Sequence, residues 1–286
     1  MKRSARRARR STPTSTALGR SRSSRLRRTC RCPSSSTSRT SSTSSTGTAR
    51  TSTAWSAARA NAQSEDLEMA VATTPDIEHL PAEEVLAYAV ERWQPRLYVA
   101  CSFQKEASVI MDMLLRIEPE ARFFTLDTGV LFEETYETKR VLEERYGIEV
   151  DVYRGISLER QAELHGEALW NRDPDACCDI RKVTPLQEAL GDVDAWIAGL
   201  RRDQSPSRAA TAKLHWDEKH DLWKVNPLAD WTEERVWEYI ERHEVPYNPL
   251  HRRGYASIGC THCTQPGGGR DGRWAGHDRT ECGIHA

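Results

Sequence analysis

Residues 97–108 read Leu97-Tyr98-Val99-Ala100-Cys101-Ser102-Phe103-Gln104-Lys105-Glu106-Ala107-Ser108. A short apolar run stops at a polar turn, and residues 106–116 then carry apolar side chains at helical spacing. Strand, turn and helix in that order outline a phosphate-binding turn, because the first N–H groups of a helix have no partner inside it. The unit recurs at residues 122–126 (strand), Asp127-Thr128-Gly129 (loop), 133–146 (helix) and 148–153 (strand). Outward from these lie a helical pattern at 80–93, a helix after Cys178, a last recognisable strand at 195–200 and a tryptophan-bearing helix at 232–243. The alternation predicts an α/β fold: a mostly parallel sheet with helices on both faces and a ligand crevice at the carboxyl ends of the strands.

Composition divides the chain in two. Residues 1–60 hold 15 Lys or Arg and no acid, while the rest of the chain is strongly acidic. A leader of Arg, Ser and Thr cannot bury enough apolar surface to offset the entropy of ordering, so residues 1–64 are expected to be disordered. Such a leader has the composition of an organellar transit peptide or a basic nucleic-acid-binding arm. The abrupt change near Ser64–Glu65 equally suits a start assigned too early, with Met69 as the true one. The functional domain is expected over 75–286, with a catalytic tail from about residue 264. No run of about 18 apolar residues is present to span a bilayer, and free thiols without a secretory signal point to the cytoplasm.

Five late cysteines carry the chemistry: the pair Cys177-Cys178, the motif Cys260-x-x-Cys263, and Cys282 near the C-terminus. By spacing, a C-x-x-C motif reads most readily as zinc. Two consecutive cysteines are awkward on one tetrahedral ion, whereas a cubane offers each thiolate its own iron. A zinc-stabilised nucleic-acid-binding protein is therefore one reading and an iron–sulfur protein another.

Taken together, CCDIRKVTPL, GCTHCTQ and TECGIHA resemble the assimilatory adenylyl-sulfate (APS) reductases of the iron–sulfur type, over roughly residues 80–286. The resemblance implies an adenine nucleotide alpha hydrolase-like (PP-loop type) fold and one 4Fe-4S cluster held by Cys177, Cys178, Cys260 and Cys263. It also implies Cys282 as nucleophile on a glycine-hinged tail, after Gly267-Gly268-Gly269, and Lys182 as a catalytic cation between cluster and substrate, supported by Arg181. An anionic cluster and an anionic phosphosulfate need such a cation between them. Ser102, Gln104 and Lys105 sit where ATP-cleaving relatives carry a serine-glycine-glycine loop; the missing glycines argue against an ATP-dependent thiolation enzyme. Asp127, Thr128 and Gly129 are implied to hold the adenosine. Arg201, Arg202 and Arg208 follow a strand end, where planar guanidinium forks suit sulfate and phosphate oxygens. Arg270, Arg273 and His285 complete the implied substrate contacts.

The implied reaction is reduction of APS to sulfite and AMP through an S-sulfocysteine, in sulfate assimilation and cysteine biosynthesis. The thiol donor is expected to be an external thioredoxin or similar carrier, since a plant-type enzyme would carry a thioredoxin-like domain after the reductase and this sequence stops at Ala286. Reduction of 3'-phosphoadenylyl sulfate (PAPS) is the alternative within the same chemistry, which the cysteine quartet disfavours. No membrane or nucleic-acid partner is expected for the domain.

Overall fold

A computed structural model describes residues 76–286 apart from 275, 278, 280 and 286. The basic leader expected over 1–64 lies outside the described residues. Six strands form one sheet: β1 (Leu97–Ala100), β2 (Phe123–Leu126), β3 (Val150–Tyr153), β4 (Ala195–Ile197), β5 (Leu214–Asp217) and β6 (Leu222–Val225), in the order β3-β2-β1-β4-β6-β5. All neighbours run parallel except β5, which lies antiparallel on β6. The predicted architecture is present. The 195–200 strand is shorter than expected, and it is not the last: the β5–β6 hairpin follows it.

The central strands are apolar on both faces, as a sheet covered on both sides requires. Leu97 and Val99 of β1, Phe123 of β2 and Ile197 of β4 point into one core. Their neighbours Tyr98, Phe124 and Trp196 point into the other. Helices α1 (Ala82–Trp93), α2 (Lys105–Ile117) and α8 (Glu233–His243) contribute to the first core through residues such as Leu86, Met111 and Ile240. Buried Asp112 ties the layer together, accepting from Tyr146 Oη (2.9 Å) on α3 (Glu133–Tyr146), from Tyr239 Oη (2.7 Å) on α8 and from Arg116 Nε (3.0 Å). A buried carboxylate needs such a full set of donors.

The second face is closed by an interrupted helix. After two short helices, α4 (Leu158–His165) and α5 (Leu169–Arg172), α6 (Pro174–Cys178) runs into a π turn (Asp179–Val183) and then α7 (Thr184–Leu190), which supplies Leu186, Ala189 and Leu190 to the core. Within the π turn the Thr184 N–H donates to the Asp179 carbonyl, five residues back. Pro185 has no N–H for the Arg181 carbonyl four residues before it, so the ladder cannot continue in α register there. No helix among the described residues is long and apolar enough to cross a membrane.

Candidate active site

From β1 the chain moves to β2 and β3 on one side, while β4 and β6 lie on the other. The crevice between the carboxyl ends of β1 and β4 is thus the topological switch point, where an open α/β sheet binds its ligand. A cavity of about 200 Å³ lies there. Ser102, Gln104 and Lys105 line it from the β1 turn, Arg201 and Arg208 from the loop after β4, and Cys282 and His285 from the tail.

The β1 turn is braced from behind. Phe103 takes a positive φ of 56° and is buried, and the Gln104 Oε1 accepts from the Ile258 N–H (2.7 Å). The Lys105 N–H donates to His251 Nε2 (3.2 Å), and its ammonium donates to the Ala256 carbonyl (3.1 Å) and faces Glu233 (3.3 Å). Lys105 therefore reaches the cavity wall with its charge already partnered.

The arginines after β4 separate into three roles. Arg201 is buried and bonded to Glu106, Asp203 and the Trp231 carbonyl, which makes it a brace of the cavity wall. Arg202 binds the Thr211 carbonyl (2.8 Å) and Glu78 and does not line the cavity. Arg208 lines the cavity and grips Glu281 of the tail through two bonds of 2.8 Å.

Asp127 and Gly129, implied to hold the adenosine, do not line the cavity. The Asp127 carboxylate accepts from the Gly129 N–H (2.9 Å), Tyr136 Oη (2.8 Å) and Arg154 Nε (2.9 Å), so it shapes its own turn. Only Thr128 of the three lines the cavity, and its carbonyl accepts from Arg181 Nη1 (2.6 Å). Arg181 is buried with Nε and Nη2 unpartnered among the described residues, so it braces the loop after β2 and stands outside the cavity.

Behind the cavity, Cys177, Cys178, Cys260 and Cys263 line one small pocket, with Trp170 and His262 stacked 4.0 Å apart over it. The loop bearing the C-x-x-C motif is held by the Thr261 N–H on the Val130 carbonyl (2.8 Å) and by Cys260 Sγ on Thr128 Oγ1 (3.3 Å). All four cysteines are free thiols. Burial pushes the thiols of Cys177 and Cys263 up, to about 11 for Cys263, and the neighbouring sulfurs add to this. Four thiolates in such a place require a cationic centre among them, so the donor set fits a thiolate-ligated metal group. Among the described residues no group of three or more His, Cys, Asp or Glu is gathered as a single-ion site.

Lys182, on the π turn, lines both the cavity and the cysteine pocket. Burial opposes its charge, but Cys260, Cys282 and Cys178 outweigh that and raise its pKa. Cys282 is 7% exposed and packs with Cys178 and Trp274. Burial opposes its thiolate too, yet Lys182, the Ile284 N–H and Arg273 together bring its pKa below the ordinary thiol value. Arg270 and Arg273 both line the cavity and flank the Trp274 ring, at 5.4 and 4.5 Å from its centroid. His285 stacks on Trp196 at 5.6 Å, and burial with nearby Lys224 holds its imidazole neutral.

The tail is docked, and the glycines expected to hinge it form a turn. The Gln265 N–H donates to the Gly272 carbonyl and the Trp274 N–H to the Cys263 carbonyl (2.8 and 2.9 Å), so Gly267-Gly268-Gly269 closes a small hairpin. The sequence reading passed over Trp274, which lines the cysteine pocket directly after Arg273, and Glu281, which stands inside TECGIHA and binds Arg208.

The description phosphoadenosine phosphosulfate reductase domain matches residues 96–266. The chain belongs to that family. It is 44% identical over 237 residues to an adenosine 5'-phosphosulfate reductase of Salinibacter ruber (strain DSM 13855 / M31), covering 81% of this chain and 90% of the relative. Adenosine 5'-phosphosulfate reductase 1 of Bacillus subtilis (strain 168) is 47% identical over 210 residues, 71% of this chain and 90% of the relative. Among solved structures, a phosphoadenylyl-sulfate reductase from Candida auris in a phosphate complex superposes with a TM-score of 0.60 at 33% identity, covering 66% of this chain and 93% of that one. The family is one of oxidoreductases acting on sulfur, and its matched span takes in both groups of clustered cysteines and the crevice lining up to Gly259, though not the tail.

Proposed function

We propose that the chain reduces APS to sulfite and AMP with electrons from thioredoxin or a similar dithiol carrier, as a cytoplasmic step of sulfate assimilation and cysteine biosynthesis. The observation that carries this reading is the Cys282 thiol, held toward its thiolate form in the cavity that Lys182 and Arg273 also line. The Cys282 thiolate attacks the substrate sulfur, the bond from that sulfur to the phosphate oxygen breaks, and AMP leaves with the electron pair. Cys282 is left as an S-sulfocysteine. A carrier thiolate then attacks Cys282 Sγ and sulfite leaves with the electrons of the sulfur–sulfur bond. The carrier's second thiol frees Cys282 and closes the carrier disulfide.

Cys177, Cys178, Cys260 and Cys263 would hold a 4Fe-4S cluster, which when bound supplies a buried anionic centre beside Lys182. Lys182 neutralises the anion that the thiolate approaches, and Arg208, Arg270 and Arg273 receive the phosphosulfate oxygens. A lowered thiol pKa raises the thiolate fraction but lowers intrinsic nucleophilicity, so the two effects partly cancel. Alignment of thiolate and sulfur by the docked tail, with cations set around them, accounts for most of the acceleration. The identity to APS reductases over most of their length, with the cysteine quartet, favours APS over PAPS.

Mixing reduced enzyme with APS and no carrier should release about one AMP per site and add a sulfonate to the peptide containing Cys282. Cys282→Ser should bind APS and show neither. Free sulfite in the first turnover without added thiol, or an adduct on Cys101, would contradict the scheme.

A further inference from the structure

The π turn carries two adjacent cations, and only Lys182 reaches the cavity. In Cys177-Cys178-Asp179-Ile180-Arg181-Lys182, Arg181 stands four residues after Cys177 and Lys182 four after Cys178, so each cation follows its own cysteine by about one turn. Burial and the neighbouring sulfurs push the thiols of Cys177, Cys178 and Cys263 up; Lys182 pulls against this at Cys178 and Cys263, and Arg181 at Cys177. Arg181 is 4% exposed and lines the cysteine pocket. Its Nη1 is spent on the Thr128 carbonyl, while Nε and Nη2 are buried with no partner among the described residues. Empty donors on a buried cation are costly, so an acceptor is called for. The Glu159 carboxylate, held down by its own backbone N–H and Ser157 before Arg181 adds to this, is fully exposed and cannot serve. Among the described residues no carboxylate lines the pocket, which leaves the cysteine sulfurs as its anionic groups. Gln161 repeats the pattern at the same thiol: it is 2% exposed, its amide hydrogen-bonds to Cys177, and its Oε1 is buried without a partner. An amide that leaves its oxygen empty in order to donate to sulfur favours a sulfur carrying charge.

We propose that Arg181 is the counter-cation and hydrogen-bond donor of the cluster at its Cys177 corner, with Gln161 as a second donor there, so that Lys182 is left to answer the substrate. This rests on the reading of the four cysteines as cluster ligands. Neighbouring residues of the same charge thus serve different anions. Groups that donate to a ligating sulfur offset its charge and strengthen retention of the metal, and partners of this kind are worth about 10- to 100-fold in metal affinity.

The test compares the full chain with Arg181→Gln, Arg181→Lys and Gln161→Leu, all purified anaerobically. It reads the rate of iron release to a ferrous chelator and the resonance Raman bands of the iron–thiolate stretches, with urea unfolding as the control for stability. Arg181→Gln should release iron at least about tenfold faster and shift the iron–thiolate bands. Arg181→Lys, which restores the charge without the fork, should recover part of the retention. Gln161→Leu leaves the bond from Arg181 to Thr128 intact and should shift the same bands by less. If Arg181 only braces the Thr128 carbonyl, Arg181→Gln loses stability toward urea while its bands and iron release stay those of wild type, and that result overturns the proposal. Should Arg181→Gln emerge without iron, Gln161→Leu decides: shifted bands support the proposal and unmoved bands overturn it. Wild type holding zinc and no labile sulfide brings down the cluster reading and the proposal together, whereas a loaded wild type with unmoved variants brings down the proposal alone.

Discussion

Replacing Gly259 with alanine tests whether the exact seat of Arg273 matters to the chemistry. A Cβ at this position would lie 2.3 Å from Arg273 Nη2 and 2.6 Å from its Cζ. Ordinary heavy-atom contact is about 3.5 Å, so the guanidinium must retreat by roughly 1 Å. It has little freedom to do so: it donates to Ser257 Oγ (3.1 Å) and the Ile258 carbonyl (3.4 Å), lies 4.5 Å from the Trp274 ring centroid, and belongs to a residue 7% exposed. Overpacking of this kind costs the fold about 1–3 kcal/mol. A 1 Å misplacement of a group that positions the reacting anion costs about 100-fold in rate, or about 2.7 kcal/mol. Single-turnover AMP release and urea unfolding measure the two effects separately. In an Arg273→Ala background the added methyl meets no guanidinium, so Gly259→Ala should then cost less than about threefold. Undiminished AMP release in the single variant, or a full 100-fold loss repeated in the Arg273→Ala background, would refute the reasoning.

Lys182→Ala should keep its iron and lose about 100-fold in turnover, about 3 kcal/mol of transition-state stabilisation; an unchanged rate assigns the ammonium to charge balance alone. Anaerobically purified protein should carry about four irons and four sulfides, and Cys260→Ser should lose them; one zinc without labile sulfide contradicts the cluster. His251 spends both ring nitrogens as a neutral group, Nε2 accepting from the Lys105 N–H and Nδ1 donating to the Tyr255 carbonyl, and burial with Lys105 nearby brings it down to about 4. Because the folded pKa is depressed, this contribution is complete above the unfolded value of about 6.5 and is lost as pH falls toward 4, by about 2 kcal/mol at pH 5; urea titrations at pH 7 and 5 should show that loss in wild type and a flatter response in His251→Gln, and parallel curves would exclude it. A chain beginning at Met69 should fold and turn over normally, a claim that loss of soluble expression or of most activity defeats.

Much of the architecture was legible because the period of the apolar residues changes abruptly where β1 meets α2 and where β2 meets its loop. The β5–β6 hairpin was not. Its connection, Glu218-Lys219-His220-Asp221, has no glycine, and Asp221 itself takes the positive φ of 57°. The cysteine groups could be read from spacing and residue type, which are local. Arg201, Arg202 and Arg208 could not be separated, because their roles follow from partners at Glu106, Glu78 and Glu281 that lie 73 or more residues away in sequence. The partners of Asp127 were hidden for a related reason: an aspartate in a turn bonds its own backbone as readily as a ligand, and Arg154 and Tyr136, which take its remaining lone pairs, lie elsewhere in the sequence.

The cysteine pair and Lys182 sit on one continuous rod, from α6 through the π turn to α7. That rod works as a crank: seating the sulfurs at its start sets the angle of the ammonium on the π turn that follows. The strands that frame the switch-point crevice are not part of it. On the proposed function, removing the cluster should therefore uncouple two jobs, leaving AMP affinity near normal while the thiolate loses its cation, so that damaged enzyme would sequester nucleotide without processing it.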